Sequence, residues 1–362
     1  MIDPRRARIA ALVEGLTSAH LDGLLVTGLS NIRYLTGFSG SSALLVVTPR
    51  DVVFITDFRY QTQVAEELGD IARIVIEASS LWSGLWQQLA TLSSVRVLGF
   101  ETAHIQHRDF QRLVESGARW QWRPTVDLVE TLRERKDADE ILRIAEAAKV
   151  ATRALEQTLP EVAPGMTELQ VAGVLERALR EQGSEGFPFP TIIASGPRSA
   201  LPHARSSTRS IQSGDFLLMD FGAEVDGYCS DITRTVVVGK ASDEHRAVYD
   251  VVKVANERAC GGVRAGMTGR DADAIARQYI ERAGYGELFG HSLGHGIGLE
   301  VHESPRLART AENALPENAV VTIEPGVYRP GWGGVRIEDD VVLGADGPQI
   351  LTHFPRELLE LG

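Results

Sequence analysis

One piece of punctuation occurs twice in this chain, about a hundred residues apart, and it constrains the fold more than any other feature. Gly165-Met166-Thr167 opens a helical stretch that closes at Gly183, and Gly266-Met267-Thr268 opens another that closes at Gly284. Each Thr suits an N-cap, Gln170 completes a capping box in the first copy, and each closing Gly suits the position after a helix. An amphipathic helix precedes each triplet, over 138–158 and over 243–260. In the first of these, Ile141, Leu142, Ala145, Ala148 and Leu155 mark the expected apolar face, and Pro160 and Pro164 end the helix. Matching order, length and punctuation point to an internal duplication. Two helical layers over a sheet drawn from both halves would place a site at the pseudo-twofold seam.

Ahead of the repeat, helical and strand patterns alternate. Leu24 to Val26, Ala43 to Val47, Val52 to Thr56 and Val95 to Phe100 read as strands, the middle two joined by the turn at Pro49-Arg50-Asp51. Tyr60 to Leu68 and Leu81 to Leu92 carry helical spacing, and Asp3-Pro4 caps an opening helix. The reading is a small α/β domain over 1–125, a charged linker over 126–136 and a second domain over 137–362. The first domain shows no catalytic cluster beyond scattered polar residues around Asn31 to Tyr34. A net charge of −12 argues against general binding to nucleic acid or anionic membrane. There is no apolar run of roughly 18 residues, no leader-like N-terminus and only two cysteines, Cys229 and Cys260. A cytoplasmic location is therefore expected.

The chemistry is concentrated later. Phe216 to Gly222 and Tyr228 to Val238 read as strands around the hairpin turn Asp226-Gly227. If those two residues form the loop, Val225 faces Tyr228 and Asp220 faces Thr233. Asp231 then becomes a diagonal same-face neighbour of Asp220, and a slip of one residue would separate them. Taken alone, the pair reads more simply as two solvated strand-end aspartates. The run His291-Ser-Leu-Gly-His295-Gly-Ile-Gly, with Val301-His302-Glu303 after it, places three of nine histidines in a glycine-rich stretch. Val320 to Gly326 is an apolar strand ending in Glu324, and Val335 to Asp340 carries Arg336 and Glu338 on one face. Pro202-His203-Ala204 adds a histidine in a turn-rich loop. Four carboxylates and one histidine, Asp220, Asp231, His295, Glu324 and Glu338, suit two divalent ions. A single structural zinc would want four Cys or His ligands, and Cys229 reads as a small buried hydrophobe.

These segments closely resemble the M24-type metallopeptidases of the creatinase-like pita-bread fold, which include aminopeptidase P, prolidase and methionine aminopeptidase. The matching pieces are Met219 to Gly222, Gly227 to Thr235, His291 to Leu299, Val301 to Glu303, Ile323 to Gly326 and Val335 to Asp339, within residues 203–340. The resemblance implies an α+β fold, with duplicated helices over a curved sheet and a smaller α/β creatinase-like domain in front. It implies that Asp220, Asp231, His295, Glu324 and Glu338 hold two metal ions. Manganese is expected for this oxygen-rich set, with cobalt or zinc as alternatives. His203, His291 and His302 become accessory groups at the substrate, Glu324 a proton shuttle as well as a ligand, and Tyr228, Thr233, Tyr328 and Arg336 the supporting shell.

Pro202-His203-Ala204 and the leading domain look like Xaa-Pro peptidases. Asn31 to Gly37, Gly40 to Ala43 and Asp57 to Tyr60 look more like a short bacterial aminopeptidase P than a prolidase. The expected activity is hydrolysis of the Xaa-Pro bond at a peptide N-terminus. A dipeptide-restricted prolidase is the alternative, and an inactive peptide-binding relative a remote one. The expected partners are a proline-containing peptide and a second copy of the chain, with the leading domain narrowing access to the cleft.

Overall fold

The computed structural model describes residues 3–362, so Met1 and Ile2 of the N-terminal reading lie outside it. The chain divides into two compact units that meet between Arg133 and Glu134. No helix among the described residues is long and apolar enough to cross a membrane.

The first unit is built on a six-stranded sheet. Gly23–Val26 lies near its middle, antiparallel to Leu44–Val47 and parallel to Val97–Glu101. Val52–Asp57 follows Leu44–Val47 as a hairpin, in the register Val47↔Val52, as its turn residues predict. Two strands beyond the expected ones, Arg73–Glu77 and Gln121–Thr125, form the edges. Gln121–Thr125 is short of apolar residues, Arg73–Glu77 carries Ile74, Val75 and Ile76 in a row, and the residues of both strands stay partly or fully exposed because an edge strand is covered less. Asp3 caps the opening helix Pro4–Ser18 through the Arg5 N–H.

The second unit repeats one plan twice. Helices Ala138–Thr158 and Glu168–Glu181 make the first pair, and Asp243–Gly262 and Gly269–Arg282 the second. Thr167 and Thr268 cap the second helix of each pair, and Gly165, Gly183, Gly266 and Gly284 all take positive φ. The hydrogen bonds repeat as well: Gly165 N–H donates to Ile211 O and Gly266 N–H to Leu315 O, both at 2.8 Å. Duplication is thus visible in the backbone, not only in the spelling.

Each helix pair buries its apolar stripe on its own sheet. Val171 and Leu175 pack with Leu217, Met219 and Val236, while Val252 and Ala276 pack with Val321, Ile323 and Val341. The period of two along these strands turns the alternate residues, Asp220 and Thr233 in one half and Thr322 and Asp340 in the other, to the opposite face. The expected apolar face of Ala138–Thr158 needs one correction. Leu142 is 67% exposed, and the buried stripe runs through Ile144, Ala147, Ala148, Ala151 and Leu155. Ile141 and Ala145 lie at its margin, against the cluster around Tyr228 and Ile297.

Candidate metal centre

The aspartates arrive on a hairpin with the register that its turn requires. Asp226 and Gly227 both have positive φ, as a two-residue type I′ turn demands. Val225 pairs with Tyr228, and Asp220 with Thr233, so one register runs through the whole hairpin. Asp231 therefore falls opposite Gly222, diagonal to Asp220 on the same face. Nothing larger than glycine fits at 222, where a Cβ would lie 2.0 Å from the Ser230 carbonyl oxygen.

The glutamates are related more directly than the sequence reading expects. Ile323 pairs with Asp339 and Gly326 with Arg336, so the same register holds on both sides of the two acids. Glu324 and Glu338 are thus cross-strand partners on one long hairpin. His295 comes from the short strand Gly294–Gly296, beside Val320–Ile323. Its N–H donates to Thr322 Oγ1 at 3.1 Å, and the Thr322 hydroxyl leans toward Glu324 Oε1 at 3.5 Å.

His295 Nε2 lies 3.5 Å from Glu324 Oε1 and 4.0 Å from Asp231 Oδ2. Asp231, His295 and Glu338 bring ligand atoms within 4.8 Å of one another. His295 Nδ1 faces the Gly296 carbonyl at 3.0 Å, which makes it the protonated nitrogen and leaves the Nε2 lone pair turned to the acids. Burial and then the neighbouring carboxylates push Asp231 and Glu324 far above the ordinary range, and Glu338 up to about 8. One cation, Arg336, touches the cluster by pairing with Asp220. A single guanidinium cannot neutralise four carboxylates, and buried Asp231 Oδ1 has no hydrogen-bond partner at all. The donor set fits a pair of divalent cations and is poorly balanced without them.

A second group, Glu101, His104 and Glu130 in the first unit, also lies within metal-binding reach. Here the space is filled by protein donors. Asn31 Nδ2 donates to Glu101 at 2.7 Å and to Glu130 at 2.6 Å, and the Thr27 and Gly28 N–H groups reach the other Glu101 oxygen. Both Glu101 oxygens and Glu130 Oε1 are taken, so the group reads as a hydrogen-bond knot. Asn31, one of the polar residues noted above, belongs to it.

The expected supporting residues divide. Thr233 Oγ1 donates to Glu338 Oε2 at 2.6 Å and accepts from Arg336 Nε at 3.0 Å. The Tyr328 hydroxyl accepts from Arg336 Nη1 at 2.8 Å and lies 2.9 Å from His291 Nε2. Tyr228 instead turns to the helix, where its hydroxyl donates to Glu140. His291 Nδ1 faces the Ser292 carbonyl at 2.8 Å, so this nitrogen carries the proton. Burial lowers the His291 pKa to about 4. Its neutral ring therefore accepts from Tyr328 at Nε2 and has no further N–H to offer a substrate. His302, exposed, packs beside His295 with ring centroids 4.4 Å apart and planes tilted by 59°, and His203 is exposed on its loop.

Three supports escaped the sequence reading. Thr322 sits two residues before Glu324, and Asp340 two after Glu338, so strand periodicity puts each on the ligand face. Asp340 Oδ2 accepts the Asp231 N–H at 3.0 Å. Arg234, buried, donates to the Glu338 carbonyl at 2.6 Å and to Asp339 at 2.8 Å.

Comparison with known proteins agrees with this geometry. Residues 143–345 match the model of metallopeptidase family M24, and residues 8–135 match the creatinase/prolidase N-terminal domain. A solved Xaa-Pro dipeptidase from Bacillus anthracis is 41% identical, with a TM-score of 0.95 over 99% of this chain and 100% of that one. An X-Pro aminopeptidase from Thermotoga maritima is 37% identical, with a TM-score of 0.90 over 98% and 99%. An Xaa-Pro dipeptidase from Pyrococcus furiosus is 34% identical over 98% of this chain and 100% of its own.

Proposed function

The chain belongs to metallopeptidase family M24, and from that premise we propose that it hydrolyses the Xaa-Pro bond, with Xaa-Pro dipeptides as its preferred substrates. The observation that carries the reading is the pairing of two acid hairpins, Asp220 with Asp231 and Glu324 with Glu338, around the Nε2 atom of His295. These five residues would hold two divalent ions, and the oxygen-rich set favours manganese. When bound, such a pair supplies Lewis acidity toward water and toward the scissile carbonyl.

The protein's own groups do the rest. Glu324, beside His295 Nε2 at 3.5 Å, would take the proton from the attacking water and pass it to the departing proline nitrogen. His302 and His203 face the substrate side and offer N–H groups to the developing negative charge and to the proline carboxylate. Arg336 steadies Asp220 and, through Tyr328, His291. Proline leaves no amide N–H to recognise, so selection rests on ring packing and on the carboxylate.

The Bacillus and Pyrococcus relatives favour the dipeptidase reading over the aminopeptidase P reading, toward which the N-terminal motifs lean. The Thermotoga likeness keeps aminopeptidase P as the second reading. Assay of an Xaa-Pro dipeptide beside an Xaa-Pro-Xaa tripeptide, with metal content measured on the same sample, separates the two. Cleavage of the tripeptide alone overturns the preference. Loss of neither metal nor activity in Asp231→Asn overturns the metal assignment. A cytoplasmic homodimer is the working assembly, and light scattering in solution tests its stoichiometry.

A further inference from the structure

The two duplicated helices each carry a buried acid that capping does not explain. Thr167 and Thr268 already satisfy the helix N-termini, yet Glu168 is 0% exposed and Asp273 is 1% exposed. Both carboxylates are engaged through both oxygens, and each bonds to a segment that carries a histidine.

Glu168 closes the base of the loop around His203. It accepts from the Ser195 N–H and hydroxyl at 2.8 and 2.9 Å on one side. On the other it accepts from the Ser207 N–H and hydroxyl at 3.0 and 2.6 Å. Arg198, inside the loop, donates from Nε at 3.0 Å. The far end of the loop is tied to the glutamate hairpin, through Arg336 to the Pro202 carbonyl at 3.3 Å and Gly334 N–H to Ser199 Oγ at 2.8 Å. His203 thus projects from a segment fixed at both ends.

Asp273 does the equivalent for His291. It accepts the Leu293 N–H at 3.0 Å and binds Arg277 through both carboxylate oxygens, at 2.5 and 2.7 Å. Arg277 then donates to the carbonyls of Phe289 and His291, at 2.9 and 2.7 Å. The two devices do not occupy matching positions of the repeat. The first-half Glu168 corresponds to Gly269, which lies under the Arg306 carbonyl where no side chain fits. Different residues in the two halves reach the same end, a buried carboxylate clamping a histidine loop.

We propose that Glu168 and Asp273 are positioning residues: Glu168 sets His203 at the substrate side of the metal centre, and Asp273 sets His291, which holds Tyr328 and through it Arg336. The proposal rests on the peptidase reading above. A buried carboxylate with this many donors holds its loop rigidly, and a displacement of about 1 Å at a substrate-contacting group costs up to about a hundredfold in kcat/KM.

The test is a double-mutant cycle on metal-loaded enzyme, with Glu168→Ala, His203→Ala and both together, assayed against an Xaa-Pro dipeptide. Glu168→Ala is expected to lower kcat/KM by about tenfold to a hundredfold, chiefly through KM, with metal content unchanged. In the His203→Ala background it should change little. An equal loss in both backgrounds, or loss of metal, overturns the proposal. Ser207→Ala removes one donor only and replaces Glu168→Ala in the cycle if the latter does not fold, with a smaller loss and the same non-additivity expected. Asp273→Asn is read against His291→Ala in the same way. If wild-type enzyme cleaves no Xaa-Pro substrate, the peptidase reading fails separately, and hydrogen exchange then decides. Faster exchange over 196–206 in Glu168→Ala and over 289–293 in Asp273→Asn, each confined to its loop, supports the clamps; unchanged exchange refutes them.

Discussion

Removing the metal should leave a protein whose stability falls as pH rises. In the metal-free centre, burial and the neighbouring acids hold Glu338 at about 8, against an ordinary value of 4.5. Asp231 and Glu324 are raised for the same reasons. Each folded-state pKa lies above its unfolded value, so the native state binds protons that the unfolded chain does not. The associated stability is fully present below pH about 4.5 and is lost as pH rises toward about 8. For Glu338 alone, the rise amounts to roughly 5 kcal/mol across that range. It is a ceiling, because a metal-free site can admit water. Between pH 6 and pH 8 the loss should be about 2–3 kcal/mol, or roughly 5–10 °C in Tm for a unit of this size. Bound metal requires these ligands deprotonated and replaces mutual repulsion with attraction, so the loaded protein should not follow this slope. Thermal denaturation of chelated and reloaded samples at several pH values measures the gap between them. The gap should widen from pH 6 to pH 8. A constant or narrowing gap, or a chelated protein that gains stability over that interval, would refute the reasoning.

Three other perturbations follow from the same geometry. Arg336→Met removes the partner of Asp220 and the link to Tyr328, and should lower kcat/KM by at least about a hundredfold; Arg336→Lys should recover little, because an ammonium lacks the planar fork that spans Asp220, Thr233 and Tyr328. Asp340→Asn keeps an acceptor for the Asp231 N–H and should bind metal nearly normally, whereas Asp340→Leu should weaken metal binding about tenfold to a hundredfold by calorimetry. Gly294→Ala would put a Cβ 1.9 Å from the Thr322 carbonyl oxygen and should cost about 3 kcal/mol in a denaturant titration, with the His295 strand displaced.

Much of the site is legible in the chain because it depends on short-range periodicity. The turn Asp226-Gly227 admits only one register without strain, and that register aligns Asp220 with Asp231. Thr322 and Asp340 were within reach of the same reasoning, since each lies two residues from a ligand on a strand. The edge strand Gln121–Thr125 was not, because an edge position imposes no apolar alternation to read, whereas the run Ile74-Val75-Ile76 does mark Arg73–Glu77. Tyr228 illustrates another limit. It neighbours the metal-site residues in sequence, but its side chain is committed to Glu140 on a helix nearly ninety residues earlier.

The sequence by itself determined the duplication, the two acid hairpins and the glycine-rich histidine stretch, since caps, turns and strand alternation are set by residues a few positions apart. Only the tertiary structure decided that Glu324 and Glu338 face each other, that Arg336 pairs with Asp220 beside them, and that Glu168 and Asp273 hold the histidine loops. Those relations join residues from separate strands and helices, and long-range packing chooses among many local patterns that would serve each segment equally well. The tautomer of His291 belongs to the same class. It follows from one carbonyl and one tyrosine hydroxyl that folding brings to its two nitrogens.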